Sequence, residues 1–119
     1  MIMIDLTLTP VHKALNAKMV DYAGFNMPVQ YAGVITEHLA VRNNVGVFDV
    51  SHMGQIFISG DDADKFLQYI TSNDVSKLYN GKVQYSCLPN NNGIVDDILV
   101  YKIDINSYLL VVNLSLIHI

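Results

Sequence analysis

Residues 92–102, "NGIVDDILVYK", decide how this chain is read. The run is rich enough in branched apolar residues to be a strand, yet Asp96 and Asp97 stand at its centre. Side chains alternate across a strand, so the two carboxylates fall on opposite faces. Asp96 goes with Ile94, Ile98 and Val100, and Asp97 goes with Val95, Leu99 and Tyr101. Both faces are otherwise largely apolar, so each is expected to be at least partly buried. A buried carboxylate needs hydrogen-bond partners to offset its lost water. For Asp96 the expectation is a structural hydrogen-bonding role. For Asp97, beside Leu99 and a tyrosine, the pattern slightly favours a ligand-facing one.

Working outward, "VQYSCLP" predicts a strand joined to this one by the turn "NNNG". "SYLLVVN", after a turn near "DINS", is its expected antiparallel neighbour. Upstream, "GDDADKFLQYITSND" predicts the clearest helix, with Ala63, Phe66, Leu67 and Ile70 on one face and Asp61 as N-cap. A less regular helical pattern runs over 34–44 through Val34, Ile35, Leu39 and Val41. Thr9 as N-cap and Pro10 at the first helical position open a short helix, followed by a strand over 18–22. "AGFNMPVQYAG" is expected to be a loop punctuated by Gly24, Pro28 and Gly33. "GVFDVSHMGQIFISG" is expected to be extended, interrupted near 51–54, with Ile56 and Ile58 on one face. Helices and hairpins without regular strand–helix alternation give an α+β class: a mixed, mostly antiparallel sheet with flanking helices.

At 119 residues the chain is one domain or a piece of a larger one. Its 51% hydrophobic content supports a real core. A net charge of -4 argues against a dedicated nucleic-acid binder. The lone Cys87 permits no internal disulfide, which fits a reducing compartment. No apolar run reaches the roughly 18–20 residues of a membrane span, and "MIMIDLTLTP" lacks the pattern of a secretory signal. A cytoplasmic location without membrane attachment is therefore expected. The last six residues, "LSLIHI", follow a strand with no turn or cap signal. They are expected to be a non-family tail over 114–119, an artefact of a truncated reading frame, with 1–113 forming the domain piece.

Among other chemistry-bearing residues, Ser51 and His52 are adjacent on an extended segment and so diverge, which places them poorly as nucleophile and base. His12, His38, His52 and His118 show no metal-ligand spacing, and no metal site is expected. Cys87 reads as a small core residue, and Tyr85 shares its strand face. The glycines form no phosphate-binding pattern.

The ordered motifs "TP.H.AL.AKMVDYAGFNMPVQY", "H..VR..VGVFDVSHMGQ", "TSNDV..L..GKVQYS", "NGIVDDILVYK" and "YLLVVN" closely resemble the N-terminal part of the aminomethyltransferase family, the T-proteins of the glycine cleavage system. The resemblance covers 9–113 and implies an incomplete part of the folate-binding T-protein fold. It implies transfer of a methylene group from an aminomethyl unit on the lipoyl arm of H-protein to tetrahydrofolate, with release of ammonia. Lipoylated H-protein and tetrahydrofolate are then the partners, and the full-length enzyme a monomer. By the same resemblance Asp97 is the catalytic carboxylate, near the reactive folate nitrogens. Met53, Tyr85, Asp97, Leu99, Tyr101 and Asn113 are the matching folate contacts. Asn92 stands where many relatives have a first glycine, a small change in a turn. The later segments that complete the family's folate site have no counterpart here, so this chain alone is expected to be inactive. The alternative is a non-catalytic folate-binding module of the same superfamily.

Overall fold

The computed structural model describes residues 3–113, so the expected change of character at 114–119, and His118 with it, lie outside the described residues. The chain divides into two compact units, the first ending at His52 and the second beginning at Met53. The α+β class is as the sequence predicts.

The first unit contains β1 (Ile4–Asp5), α1 (Thr9–Ala14), β2 (Lys18–Tyr22), β3 (Phe25–Gln30) and α2 (Val34–Asn43). Its sheet has the order β1-β3-β2, with β3 parallel to β1 and antiparallel to β2. The stretch expected to be a loop is thus largely strand. Ala23 and Gly24, both at positive φ, turn the chain tightly between β2 and β3. Pro28 is tolerated because β1 pairs only with Phe25 and Asn26. The β2 register also shifts between Lys18 and Met19, opposite the proline. Thr9 is the first helical residue rather than the cap, and its hydroxyl accepts the Leu6 main-chain N–H at 2.9 Å. α2 forms as expected, but none of its residues is buried.

A polar chain ties this unit together. Asp49, in the irregular segment after α2, accepts from His12 Nε2 at 2.8 Å and from the Ser51 main-chain N–H at 2.8 Å. A carboxylate only accepts, so Nε2 carries a proton, and Nδ1 lies 2.8 Å from the Tyr31 hydroxyl. The His12 and Asp49 side chains are both buried. Hydrogen bonding from Ser51 and His12 outweighs the opposing effect of burial and holds the Asp49 carboxyl below its ordinary range.

The second unit contains β4 (Met53–Ser59), α3 (Ala63–Ile70), a 3₁₀ turn (Val75–Lys77), β5 (Val83–Asn90), β6 (Gly93–Asp104) and β7 (Ser107–Asn113). All pairings are antiparallel, in the order β4-β7-β6-β5. Ala63 and Leu67 of α3, with Val75 and Leu78, pack on Ile98, Val100, Tyr108, Leu110 and Val112 from one face of the sheet. Phe66, expected on the packed face of α3, is exposed instead. Asp62, not Asp61, precedes the first helical turn, and its carboxylate takes Lys65 Nζ at 2.8 Å. The extended stretch before Ser51 enters no ladder, and a turn at Ser51 and His52 leads into β4. Among the described residues no helix is long and apolar enough to cross a membrane.

Leu67 is fully buried at the centre of the α3–sheet core. Leu67→Ala should lower the unfolding free energy by about 2–5 kcal/mol, read from the denaturation midpoint. A loss below about 0.5 kcal/mol would contradict a core centred there. Asp49, with its folded pKa depressed, contributes stability above its unfolded pKa and loses it as pH falls through the folded value. The stability gap between wild type and Asp49→Asn should therefore shrink as pH drops through and below about 4. A gap independent of pH would contradict this.

Candidate functional site

Directly opposed residues on antiparallel strands project to the same side of a sheet. β5 and β6 pair Tyr85 with Leu99 and Cys87 with Asp97. β6 and β7 pair Leu99 with Val111 and Tyr101 with Leu109, and β4 and β7 pair Met53 with Asn113. All six residues singled out from the sequence, Met53, Tyr85, Asp97, Leu99, Tyr101 and Asn113, therefore share one face. It is the face opposite the α3 core.

The two faces differ more than the sequence predicts. Asp96 lies on the core side and is only 7% exposed. Asp97 is exposed, Tyr85 is 59% exposed, and Met53, Leu99, Tyr101 and Asn113 are half-buried. The Asp96 side is buried through Ile98 and Val100, while the Asp97 side is half-buried at Leu99 and Tyr101 with Asp97 itself exposed, because α3 and the 3₁₀ turn cover only one side.

Local hydrogen bonds set the carboxylate in place. Tyr85 donates its hydroxyl to Asp97 Oδ2 at 3.3 Å. Asn113 Nδ2 lies 3.2 Å from the Asp97 carbonyl oxygen and 3.4 Å from Oδ1. On the other side, Asp96 Oδ2 accepts the Asn113 main-chain N–H at 3.0 Å, and Oδ1 accepts from Nδ2 at 2.8 Å. The structural hydrogen-bonding role expected for Asp96 is what the structure shows. The outer edge of β5 is pinned by residues after α3. Ser72 and Cys87 exchange two bonds, Ser72 N–H to the Cys87 carbonyl and Cys87 N–H to Ser72 Oγ, and Asn73 Nδ2 donates to the Tyr85 carbonyl.

Cys87 was expected to be a core residue. It is instead half-buried on the open face, opposite Asp97. Leu109 and Val111 also line this face, and the period-two pattern of "SYLLVVN" with its register to β6 is the signal that finds them. Ser51 serves Asp49 through its main chain, and the His52 ring meets Tyr22 edge-on at 5.5 Å.

The result is an apolar and aromatic floor around the Asp97 carboxylate. Among the described residues no lysine or arginine pairs with Asp97, so its charge remains available to a positive group or an N–H donor. The Asp97 charge, with burial and Cys87 assisting, raises the Tyr85 phenol above its ordinary pKa and keeps it a donor. Such a surface suits one side of a flat heterocycle with polar N–H groups.

Comparison with known proteins adds an independent line. The family described as GCVT N-terminal domain matches residues 8–118. The aminomethyltransferase of Flavobacterium psychrophilum is 60% identical over 114 residues, covering 95% of this chain and 32% of that protein. The aminomethyltransferase of Bacteroides fragilis is 57% identical over 108 residues, covering 90% and 30%. The crystal structure of glycine cleavage system aminomethyltransferase T from Bartonella henselae superimposes with a TM-score of 0.86 at 37% identity, covering 93% of this chain and 31% of that one. The chain thus spans under a third of the length of the curated relatives it matches.

If the Asp97 charge holds the Tyr85 proton, Asp97→Asn should return the Tyr85 phenol toward its ordinary pKa of about 10. The check is a tyrosinate absorbance titration, taken as the difference from Tyr85→Phe. An unchanged Tyr85 titration would show that Asp97 does not act on it.

Proposed function

The chain belongs to the GCVT N-terminal domain family, and from that premise we propose that it is the N-terminal piece of a tetrahydrofolate-dependent aminomethyltransferase of glycine cleavage. The full-length protein would take the aminomethyl group carried on the lipoyl sulfur of H-protein and pass its methylene to tetrahydrofolate. The methylene carbon loses its bonds to nitrogen and sulfur and gains bonds to two folate nitrogens. The two protons given up by those nitrogens are balanced by one gained in ammonia and one on the freed dihydrolipoyl thiol.

The observation that carries this reading is the placement of Asp97 on the open face, among Tyr85, Leu99, Tyr101 and Met53, with no lysine or arginine paired to it among the described residues. The residues fit the co-substrate: aromatic and apolar side chains for a planar ring, and one carboxylate for its N–H groups. Asp97 would orient the folate nitrogens, stabilise positive charge developing there, and accept a proton in transit. Leu99, Tyr101 and Met53 would exclude water from one side of the ring, and Asn113 would fix its edge. A cytoplasmic setting accords with the bacterial relatives. Residues 1–119 carry the carboxylate but, at under a third of those relatives' length, only part of the cavity. No transfer by this chain alone is expected.

The test is a graft, with this segment replacing the matching 114 residues of the full-length Flavobacterium psychrophilum aminomethyltransferase. The graft should form methylenetetrahydrofolate from aminomethylated H-protein. Asp97→Asn in the graft should slow it roughly 10²–10⁴-fold. An active graft indifferent to that substitution would remove Asp97 from the mechanism.

A further inference from the structure

We propose that Asp96, the buried partner of the aspartate pair, is a positioning residue for the transfer reaction: through Asn113 it sets where the Asp97 carboxylate points. The proposal rests on the reading of Asp97 given above and deepens it.

Asp96 is 7% exposed, and among the described residues its carboxylate receives both of its hydrogen bonds from one residue. Two bonds to a single residue hold more than a strand end. The Asn113 main-chain N–H, at 3.0 Å, closes β7 at a point where the β6–β7 ladder has stopped, its last pair on that side being Leu99 with Val111. That bond alone would satisfy the backbone. The second, from Nδ2 at 2.8 Å, fixes the side chain. A carboxylate only accepts, so the Asn113 amide cannot turn over without setting its own oxygen against Asp96.

A primary amide carries two hydrogens. With one engaged by Asp96, the other is left to reach the Asp97 carbonyl oxygen at 3.2 Å and Oδ1 at 3.4 Å. Asn113 thus bridges the two faces of the sheet, gripped on the core side and touching the carboxylate on the open side. Tyr85 holds the other oxygen, Oδ2, at 3.3 Å. Both bonds to Asp97 are long, so the carboxylate is guided rather than locked. Burying Asp96 is costly. The arrangement gains a fixed amide beside the reacting carboxylate.

The graft described above tests this with steady-state and single-turnover kinetics. Asp96→Asn keeps the shape but presents an N–H to an Asn113 donor. It should lower kcat about 10-fold or more, with the tetrahydrofolate KM moving far less. Asn113→Ala leaves the main-chain bond to Asp96 and removes the bridge together with the contact to the folate edge, so its tetrahydrofolate KM rises as well. Read at saturating tetrahydrofolate it should lower kcat by a similar factor, and that kcat decides the matter if Asp96→Asn does not fold. Both substitutions act through Asp97, so each should change the residual rate by less than about twofold in an Asp97→Asn background. A merely structural Asp96 would instead lower thermal stability, leave kcat per folded molecule unchanged, and multiply with Asp97→Asn. That result overturns the proposal while leaving the Asp97 reading intact. A graft in which Asp97→Asn itself has no effect overturns both.

Discussion

A carboxylate taken out of water survives only if its lone pairs are filled, and here Asn113 fills those of Asp96 twice. That pair of bonds is where the two halves of the second unit's design meet. On one side lies a core of α3 and the 3₁₀ turn packed on Ile98, Val100, Tyr108, Leu110 and Val112. On the other lies an open face that carries the Asp97 carboxylate. Strand alternation gives neighbouring residues in β6 these opposite duties. Without a satisfied Asp96, the core side would carry an unpaired buried charge two residues from Ile98.

The division of labour explains the composition of β6. Its core face reads Asp96, Ile98, Val100, and its open face reads Asp97, Leu99, Tyr101. The open face keeps apolar residues although α3 does not cover it, as the proposed floor for a flat ligand requires. β4 and β5 add Met53 and Tyr85 at register positions that no single strand could supply. In the first unit a different polar chain, Tyr31–His12–Asp49, ties α1 and the residue that follows β3 to the irregular segment after α2.

Much of this was legible in the residues. The alternation of "NGIVDDILVYK" places Asp97, Leu99 and Tyr101 together, and the hairpins on either side follow from "NNNG" and "DINS". Met53, Tyr85 and Asn113 were not legible from pattern, because strand register brings them in from other parts of the chain; the family resemblance supplied them. What failed did so for identifiable reasons. Phe25–Gln30 looked like a loop because it holds a proline between glycines, yet the short reach of β1 leaves room for that proline. Cys87 looked like core because small apolar residues usually are, yet its register with Asp97 turns it outward. The partner of Asp96 lies 17 residues away and is reached by both its backbone and its side chain, which no local pattern encodes.

In the proposed complex the folate ring lies on the open face of β5, β6 and β7, with Asp97 beneath its nitrogens. Tyrosine side chains report on both faces: Tyr85 and Tyr101 on the open one, Tyr108 in the core. Titrating tetrahydrofolate into the full-length graft with isotope-labelled tyrosine rings should shift the assigned Tyr85 and Tyr101 resonances together at one saturation midpoint, with Tyr108 unmoved. Saturable binding that leaves Tyr85 and Tyr101 unshifted would contradict the account.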